Sequence, residues 1–324
     1  MSKVLLAGVK PTGQLHLGNY FGSMEPALMQ AKGADVSYLF IADLHAITST
    51  QEGAQLKRNT LNIAAGYLAA GLDPSKTILF KQSDIKEHTE LAWIFDCITT
   101  MPYLMRAHAY KDAEAKNAEI NVGVFNYPIL MAADILLYDT NIVPVGQDQK
   151  QHVEYARDTA QKFNRIYGEA FTLPEAHITE GVGIVPGIDG RKMSKSYNNV
   201  IPLYESSDIV KQRIMSIVTD SKEAHEPKDP NTCNVFALHK LFASGDELAK
   251  LEKQYREGTI SYKESKELLV EHTERLIGPM REKYLDYVNN EEKLLEIIKD
   301  GGERARAQAE KKMKMVREFV GIGF

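Results

Sequence analysis

Residues Pro11 to Tyr20, PTGQLHLGNY, follow the apolar run VLLAG at Val4 to Gly8 and open a stretch with helix-like apolar spacing, LGNYFGSMEPALMQAKG, at Leu17 to Gly33. A short apolar run, a turn rich in Pro and Gly, and an amphipathic segment together read as strand, loop and helix. The same alternation continues downstream. VSYLFIAD at 36–43 and TILF at 77–80 read as strands, and EGAQLKRNTLNIAAGYLAAG at 52–71 as a helix. EHTELAWIFDCIT at 87–99 is a further helix that must end near Pro102, and NIVPV at 141–145 and HITEGVGIV at 177–185 supply later strands. Strands separated by helices of this length predict an α/β fold with a doubly wound parallel sheet.

After Pro202 the strand-like runs stop. Charged helix formers dominate SDIVKQRIMSIVTD at 207–220, DELAKLEKQYREG at 246–258 and EKLLEIIKDGGERARAQAEKKMKMVREFV at 292–320. SYKE at 261–264 is a capping-box signature. The predicted organisation is therefore an α/β domain over 1–200 followed by an all-helical domain over 201–324. No internal repeat or low-complexity segment interrupts it.

Composition sets the outer limits. A chain of 324 residues exceeds what one core usually organises, which supports two domains. Hydrophobic residues make up 44% and charged residues 26%, and no run approaches the ~18 consecutive apolar residues of a membrane span. The chain enters a strand-like run directly, without a secretory leader, so a cytoplasmic protein is expected. Cys97 and Cys233 offer neither a disulfide framework nor a metal-ligand spacing, and read as buried free thiols; no protein-bound metal is expected. With a net charge of −5, any polyanion site must be a local patch.

In a doubly wound sheet, ligands bind beyond the carboxyl ends of the strands, where a loop enters a helix with unsatisfied N–H groups. Phosphate suits that place. Gly13 and Gly18 allow close approach of the backbone, His16 can donate a hydrogen bond to developing phosphate charge, and Asn19 can cap the helix or hold a ligand. A capped structural loop explains the same residues. The second such stretch is GRKMSKSYNN at 190–199, in which Lys192 and Lys195 alternate with Ser194 and Ser196. It reads either as a solvated surface loop or as a mobile basic loop that closes over charge on a departing pyrophosphate.

HLGN and KMSKS, in this order, resemble the two signatures of the class I aminoacyl-tRNA synthetases. The likeness extends through GVKPTGQLHLGNYFG, IADLHAIT, YPILMAADILLYDTNIVPVGQDQKQHVEYARD and VPGIDGRKMSKS, which are similar to successive motifs of the bacterial tryptophanyl-tRNA synthetases over residues 3 to 200. The resemblance implies a Rossmann-like catalytic domain with a helical dimer-interface insertion at about 101–140. It also implies a homodimer, and an anticodon-binding helical domain whose last helix packs back on the catalytic domain.

The resemblance further implies roles for individual residues. His16, Lys192 and Lys195 would be catalytic. Lys10, Pro11, Thr12, Gly18, Asn19, Gly146, Gln147, Asp148, Lys192, Met193, Ser194, Lys195 and Ser196 would surround ATP, with Asp148 on the ribose hydroxyls unless it caps a helix instead. Tyr127, Met131 and Asp134 sit at i, i+4 and i+7 and share one helix face, which suits either core packing or a pocket wall. Under the resemblance they face tryptophan. A methionine suits a flat indole, and one carboxylate suits a ring with one N–H donor and no acceptor, whereas tyrosyl enzymes carry glutamine where Met131 stands. Val143, Val145, His45 and Gln149 would complete that pocket, although His45 reads equally as a structural histidine. Lys10 departs from the commoner glutamine and places a cation near the substrate carboxylate or ATP.

The implied reaction joins L-tryptophan to the α-phosphate of Mg²⁺-bound ATP and passes the tryptophanyl group to tRNA(Trp), with AMP and pyrophosphate released. Three alternatives remain at this point: tyrosyl specificity, a small-molecule nucleotidyltransferase with a similar histidine loop, and a non-catalytic synthetase paralogue.

Overall fold

The computed structural model describes residues 2–115, 120–146, 149–178 and 184–324. Five strands form one sheet: β1 (Val4–Val9), β2 (Val36–Ile41), β3 (Thr77–Lys81), β4 (Ile142–Val145) and β5 (Glu175–Ile178). Between them lie α1 (Leu17–Asn19), α2 (Glu25–Ala31), α3 (Asp43–Ile47), α4 (Gly53–Ala69) and α5 (Glu87–Ile98). The series continues with α6 (Met101–Leu104), α7 (His108–Ala115), α8 (Val122–Leu136) and α9 (Lys150–Tyr167). The described elements after residue 200 are all helical: α10 (Ser207–Met215), α11 (Asn234–His239), α12 (Gly245–Glu257), α13 (Tyr262–Asn289) and α14 (Glu291–Val320).

The sheet is wholly parallel, in the order β3-β2-β1-β4-β5. An α/β domain with a helical C-terminal part is thus the observed fold class. The chain leaves β1 toward β2 on one side and later toward β4 on the other, so the strand order reverses at β1. That reversal is where a doubly wound sheet holds its ligand.

Two local details differ from the sequence-based expectation. The stretch after HLGN is not one α-helix: a π-helical segment, Tyr20–Met24, separates α1 from α2, and Pro26 sits in the first turn of α2, where its missing N–H costs no bond. The last strand starts at Glu175, two residues before HITEGVGIV, and includes His177 and Ile178 of that run, while 179–183 lie outside the described residues. The described part of β5 pairs residue by residue with β4, from Ile142↔Glu175 to Val145↔Ile178.

Period-two alternation splits the strands between two cores. Leu39, Ile41 and Leu79 face one side together with Ile63 and Leu68 of α4 and with Leu269, Ile277 and Leu294 of the C-terminal helices. Tyr38, Phe40, Ile78 and Phe80 face the other, with Ile129 and Leu136 of α8 and Phe163 of α9. Helix α13 starts as its sequence implied: Ser261 accepts from the Glu264 N–H while the Glu264 side chain reaches back to Ser261.

Helix α14 joins both layers. Leu294 and Ile298 belong to the first core, whereas Ala305, Ala309 and Met313 belong to the second. The helix therefore crosses the outer strand β3, and it does so at Gly301, where a Cβ would lie 1.9 Å from the Leu79 carbonyl oxygen. Glycine is required for that approach. Beyond the crossing, the buried Lys312 ammonium donates to Asp139 Oδ1 at 2.5 Å and to the Ala170 carbonyl at 2.7 Å, and Arg317 pairs with Glu90.

Candidate active site

A cavity of about 660 Å³ opens at the carboxyl ends of β1, β2 and β4, beneath α3 and α8. Its walls are Leu6, Gly8, Phe40, Val143 and Val145 from the strands, with His45 and Thr48 from the α3 region. Tyr127, Met131 and Asp134 come from one face of α8, as their spacing requires. Gln149, Lys10 and Gly146 line it too. The seven residues expected around an amino acid thus share one cavity.

Asp134 lies in its wall. The residue is 0% exposed, yet its carboxylate is crowded with donors. Oδ2 lies 2.8 Å from His45 Nε2; Oδ1 accepts from Gln82 Nε2 at 2.7 Å and stands 2.6 Å from His88 Nδ1. Burial by itself would raise its pKa, but the His45 hydrogen bond and the charge of His88 outweigh burial and hold the carboxyl at about 2. It is therefore ionised near pH 7, in a cavity it shares with the apolar side chains of Phe40, Met131, Val143 and Val145. Gln82 and His88 were absent from the sequence reading. Gln82 could have been noticed as a polar residue just past the end of a buried strand, but His88, inside a helix, carries no motif.

Farther along the same helix face, Tyr127 Oη lies 2.5 Å from His152 Nε2, and His152 Nδ1 lies 2.9 Å from Gln149 Oε1. This fixes the ends of two expected binding residues through a third that sequence had not singled out. Lys10 donates to Thr48 Oγ1 at 3.2 Å, and burial lowers its pKa.

Two residues after Lys10, the loop carrying HLGN meets the loop carrying KMSKS. Leu17 N donates to the Ile201 carbonyl at 3.0 Å and Leu203 N to that of Leu15 at 2.9 Å, so the segment after KMSKS is stitched to the turn before α1. Gly18 N donates to Met193 Sδ at 3.2 Å, and Lys195 Nζ donates to the Thr12 carbonyl. Asn19 Oδ1 accepts from His16 N at 3.1 Å, which is the capping option of its two readings. Met193 is buried, whereas Ser194 and Ser196 pair with each other at 3.0 Å and Lys192 is exposed. Pro11 is buried, its carbonyl accepting from Asn59 at 3.3 Å.

His16 is only 6% exposed, and its Nδ1 has no partner among the described residues. Burial, reinforced by the nearby Lys195 charge, lowers its pKa to about 4, so the ring is neutral near pH 7. Burial lowers that of Lys195 as well. The KMSKS loop is shaped by Asn199, one of the two asparagines that flank it in sequence and to which no role was assigned there: its Oδ1 accepts from Ser194 N at 2.8 Å, and its Nδ2 donates to Asp189 Oδ1 at 2.7 Å and to the Lys192 carbonyl at 3.1 Å. Gln147 and Asp148, expected near ATP, lie outside the described residues.

Comparison with known proteins agrees with this geometry. Residues 2–278 match the family of tRNA synthetases class I (W and Y). The tryptophan–tRNA ligase of Campylobacter jejuni is 46% identical over 98% of this chain and 99% of its own length, and that of Fusobacterium nucleatum is 45% identical over 98% and 97%. The crystal structure of the C. jejuni tryptophanyl-tRNA synthetase complexed with ADP and tryptophan superimposes with a TM-score of 0.94 at 45% identity, over 98% of this chain and 99% of that one. With the two signature loops joined above a cavity whose wall holds a buried carboxylate, the chain belongs to the class I tRNA synthetases, and within them to the tryptophan–tRNA ligase family.

Proposed function

We propose that the chain activates L-tryptophan with ATP, forming tryptophanyl-adenylate and pyrophosphate, and then transfers the tryptophanyl group to a terminal ribose hydroxyl of tRNA(Trp), releasing AMP. The observation that carries this reading is the buried Asp134 carboxylate in the cavity wall. An indole offers one N–H, Asp134 offers an acceptor that stays ionised, and Met131, Val143 and Phe40 offer apolar walls. A phenol would instead need an acceptor and a donor for its hydroxyl.

Tryptophan's carboxylate is ionised at pH 7, so its attack on the α-phosphate needs no general base. The protein must align the reactants and stabilise charge that moves onto pyrophosphate. Lys10 at the mouth of the cavity would meet the carboxylate or an adjacent phosphate. His16, neutral and buried, would donate a hydrogen bond there rather than a charge. Lys195, with Lys192 beside it, would supply positive charge by exchanging the Thr12 carbonyl for phosphate oxygens. Gly18, Gly146 and the hydroxyls of Ser194 and Ser196 complete the nucleotide site. Mg²⁺ would arrive with ATP as part of the substrate. Residues 201–324 would bind the anticodon region of tRNA, and two copies of the chain, meeting over residues near 101–140, would form the working unit in the cytoplasm; no helix among the described residues is long and apolar enough to cross a membrane.

The test is exchange of labelled pyrophosphate into ATP with each of the twenty amino acids. Exchange that depends on tryptophan supports the proposal. Preference for tyrosine would reassign the substrate, and silence with every amino acid would end the synthetase reading.

A further inference from the structure

We infer that His88 is a positioning residue for indole recognition: locked by Tyr138, it sets its Nδ1 against Asp134 Oδ1, so that Oδ1 is crowded and Oδ2 is left to receive the substrate. This rests on the reading of Asp134 as the indole acceptor and adds what prepares that acceptor.

The geometry leads there in three steps. His88 and Asp134 are both 0% exposed, so no solvent can supply a missing proton or acceptor. His88 Nδ1 stands 2.6 Å from Asp134 Oδ1, and Tyr138 Oη lies 2.8 Å from His88 Nε2. The first approach is close but poorly aligned, so it acts as a charge contact more than as a well-formed hydrogen bond. At that separation a ring-nitrogen lone pair facing a carboxylate would be repulsive, so Nδ1 must carry hydrogen. In a neutral ring this requires Nε2 to be the acceptor, which is what a phenol O–H donating to it enforces; in a charged ring both nitrogens carry hydrogen in any case. Tyr138 thereby selects the useful form of His88.

The second step counts lone pairs. A carboxylate has about four acceptor positions, two on each oxygen. Gln82 takes one on Oδ1, His88 Nδ1 crowds that same oxygen at 2.6 Å through its charge contact, and His45 takes one on Oδ2. The oxygen with room for a further donor is Oδ2, beside His45 in the cavity wall.

The third step concerns rigidity. His88 packs between Phe40, Phe80 and Tyr138, with ring centroids 6.1, 6.2 and 5.6 Å away. Its imidazole cannot follow a carboxylate that rotates, so Asp134 keeps one orientation with or without substrate. His88 touches no substrate atom in this arrangement and acts only through Asp134.

The experiment compares tryptophan with β-(3-benzothienyl)alanine, in which sulfur replaces the indole N–H, in pyrophosphate exchange by wild type, His88→Phe and Tyr138→Phe. Wild type should favour tryptophan. His88→Phe keeps an aromatic ring in the slot, and should narrow the kcat/KM ratio about 10-fold by raising KM for tryptophan, with the analogue's kcat/KM and the KM for ATP within about twofold of wild type. Tyr138→Phe, which removes one hydroxyl, should move the ratio in the same direction by less. An unchanged ratio in folded His88→Phe, or equal losses for both amino acids, overturns the inference. If His88→Phe does not fold, Tyr138→Phe decides alone, an unchanged ratio there being equally fatal. A wild-type protein that shows no preference between the two amino acids refutes the role of Asp134 itself, and that failure is separable from the others.

Discussion

The Lys195 ammonium donates to the carbonyl oxygen of Thr12, bridging the two signature loops across 183 residues of sequence. This contact is internal and therefore exchangeable. A triphosphate entering between the loops presents better acceptors than one peptide carbonyl, and Lys195 can move from the one to the other without leaving its loop.

Lys195→Ala should accordingly slow adenylate formation by ~100-fold or more, since a charge contact made mainly in the transition state contributes ~2.7–4 kcal/mol. Tryptophan affinity should change little. Single-turnover kinetics alongside equilibrium tryptophan binding separates the two; equal losses would make Lys195 a ground-state binding residue.

His16 has a consequence for pH. Its pKa is about 4 in the folded chain against 6.5 in the unfolded one, so folding leaves it less able to bind a proton. Its contribution to stability is complete above pH 6.5 and is lost as pH falls toward 4. His16→Gln should flatten that part of the stability curve relative to wild type, measured by urea unfolding across the window. In wild type the rate of adenylate formation should show no break from His16 near pH 6.5; a break that disappears in His16→Gln would show that the imidazolium is the working form.

Asp134→Asn should reduce kcat/KM for tryptophan by ~10- to 150-fold, because a hydrogen bond to a charged acceptor contributes ~1.5–3 kcal/mol and the amide leaves His45, Gln82 and His88 competing for one oxygen. ATP binding should stay near normal. Preference for tryptophan over phenylalanine should shrink as well, since phenylalanine never used the carboxylate. A folded variant with wild-type discrimination would make Asp134 a purely structural anion.

Neighbouring glycines in α14 should respond with opposite signs. Gly301→Ala places a methyl 1.9 Å from the Leu79 carbonyl and forces helix and strand apart, at a cost of about 1–3 kcal/mol or more. At Gly302 the nearest atom to a new Cβ is Asp84 Oδ2 at 3.6 Å, an ordinary contact. Gly302→Ala should therefore stabilise by up to about 1 kcal/mol through helix propensity. Thermal unfolding of the two variants, side by side, checks the pair; a stabilised Gly301→Ala would contradict the crossing.

Much of this was legible before any coordinates. Alternating apolar runs announced the parallel sheet, because a strand buried on both faces is marked by its own composition. Ser261 and Glu264 announced the start of α13, because a capping box is a local device. Tyr127, Met131 and Asp134 announced a shared face, because helical spacing is arithmetic. His88 and Gln82 were silent, since a partner to a buried carboxylate is chosen by packing between β3, α5 and α8, and nothing within α5 distinguishes His88 from a core histidine. The π-helical segment at Tyr20–Met24 was silent too, since the apolar spacing of the run does not distinguish a π-turn from an α-turn.

The path of α14 over β3 bears on how the protein is made. Because the helix that covers the outer strand follows it by more than two hundred residues, a ribosome must read that far past β3 before the strand's free hydrogen-bonding edge is shielded. Until then the nascent catalytic layer presents a template onto which another chain can add. A product released early, even one that retains every signature residue up to Lys195, leaves translation with that edge bare, and becomes a substrate for chaperones and proteases before it can become an enzyme.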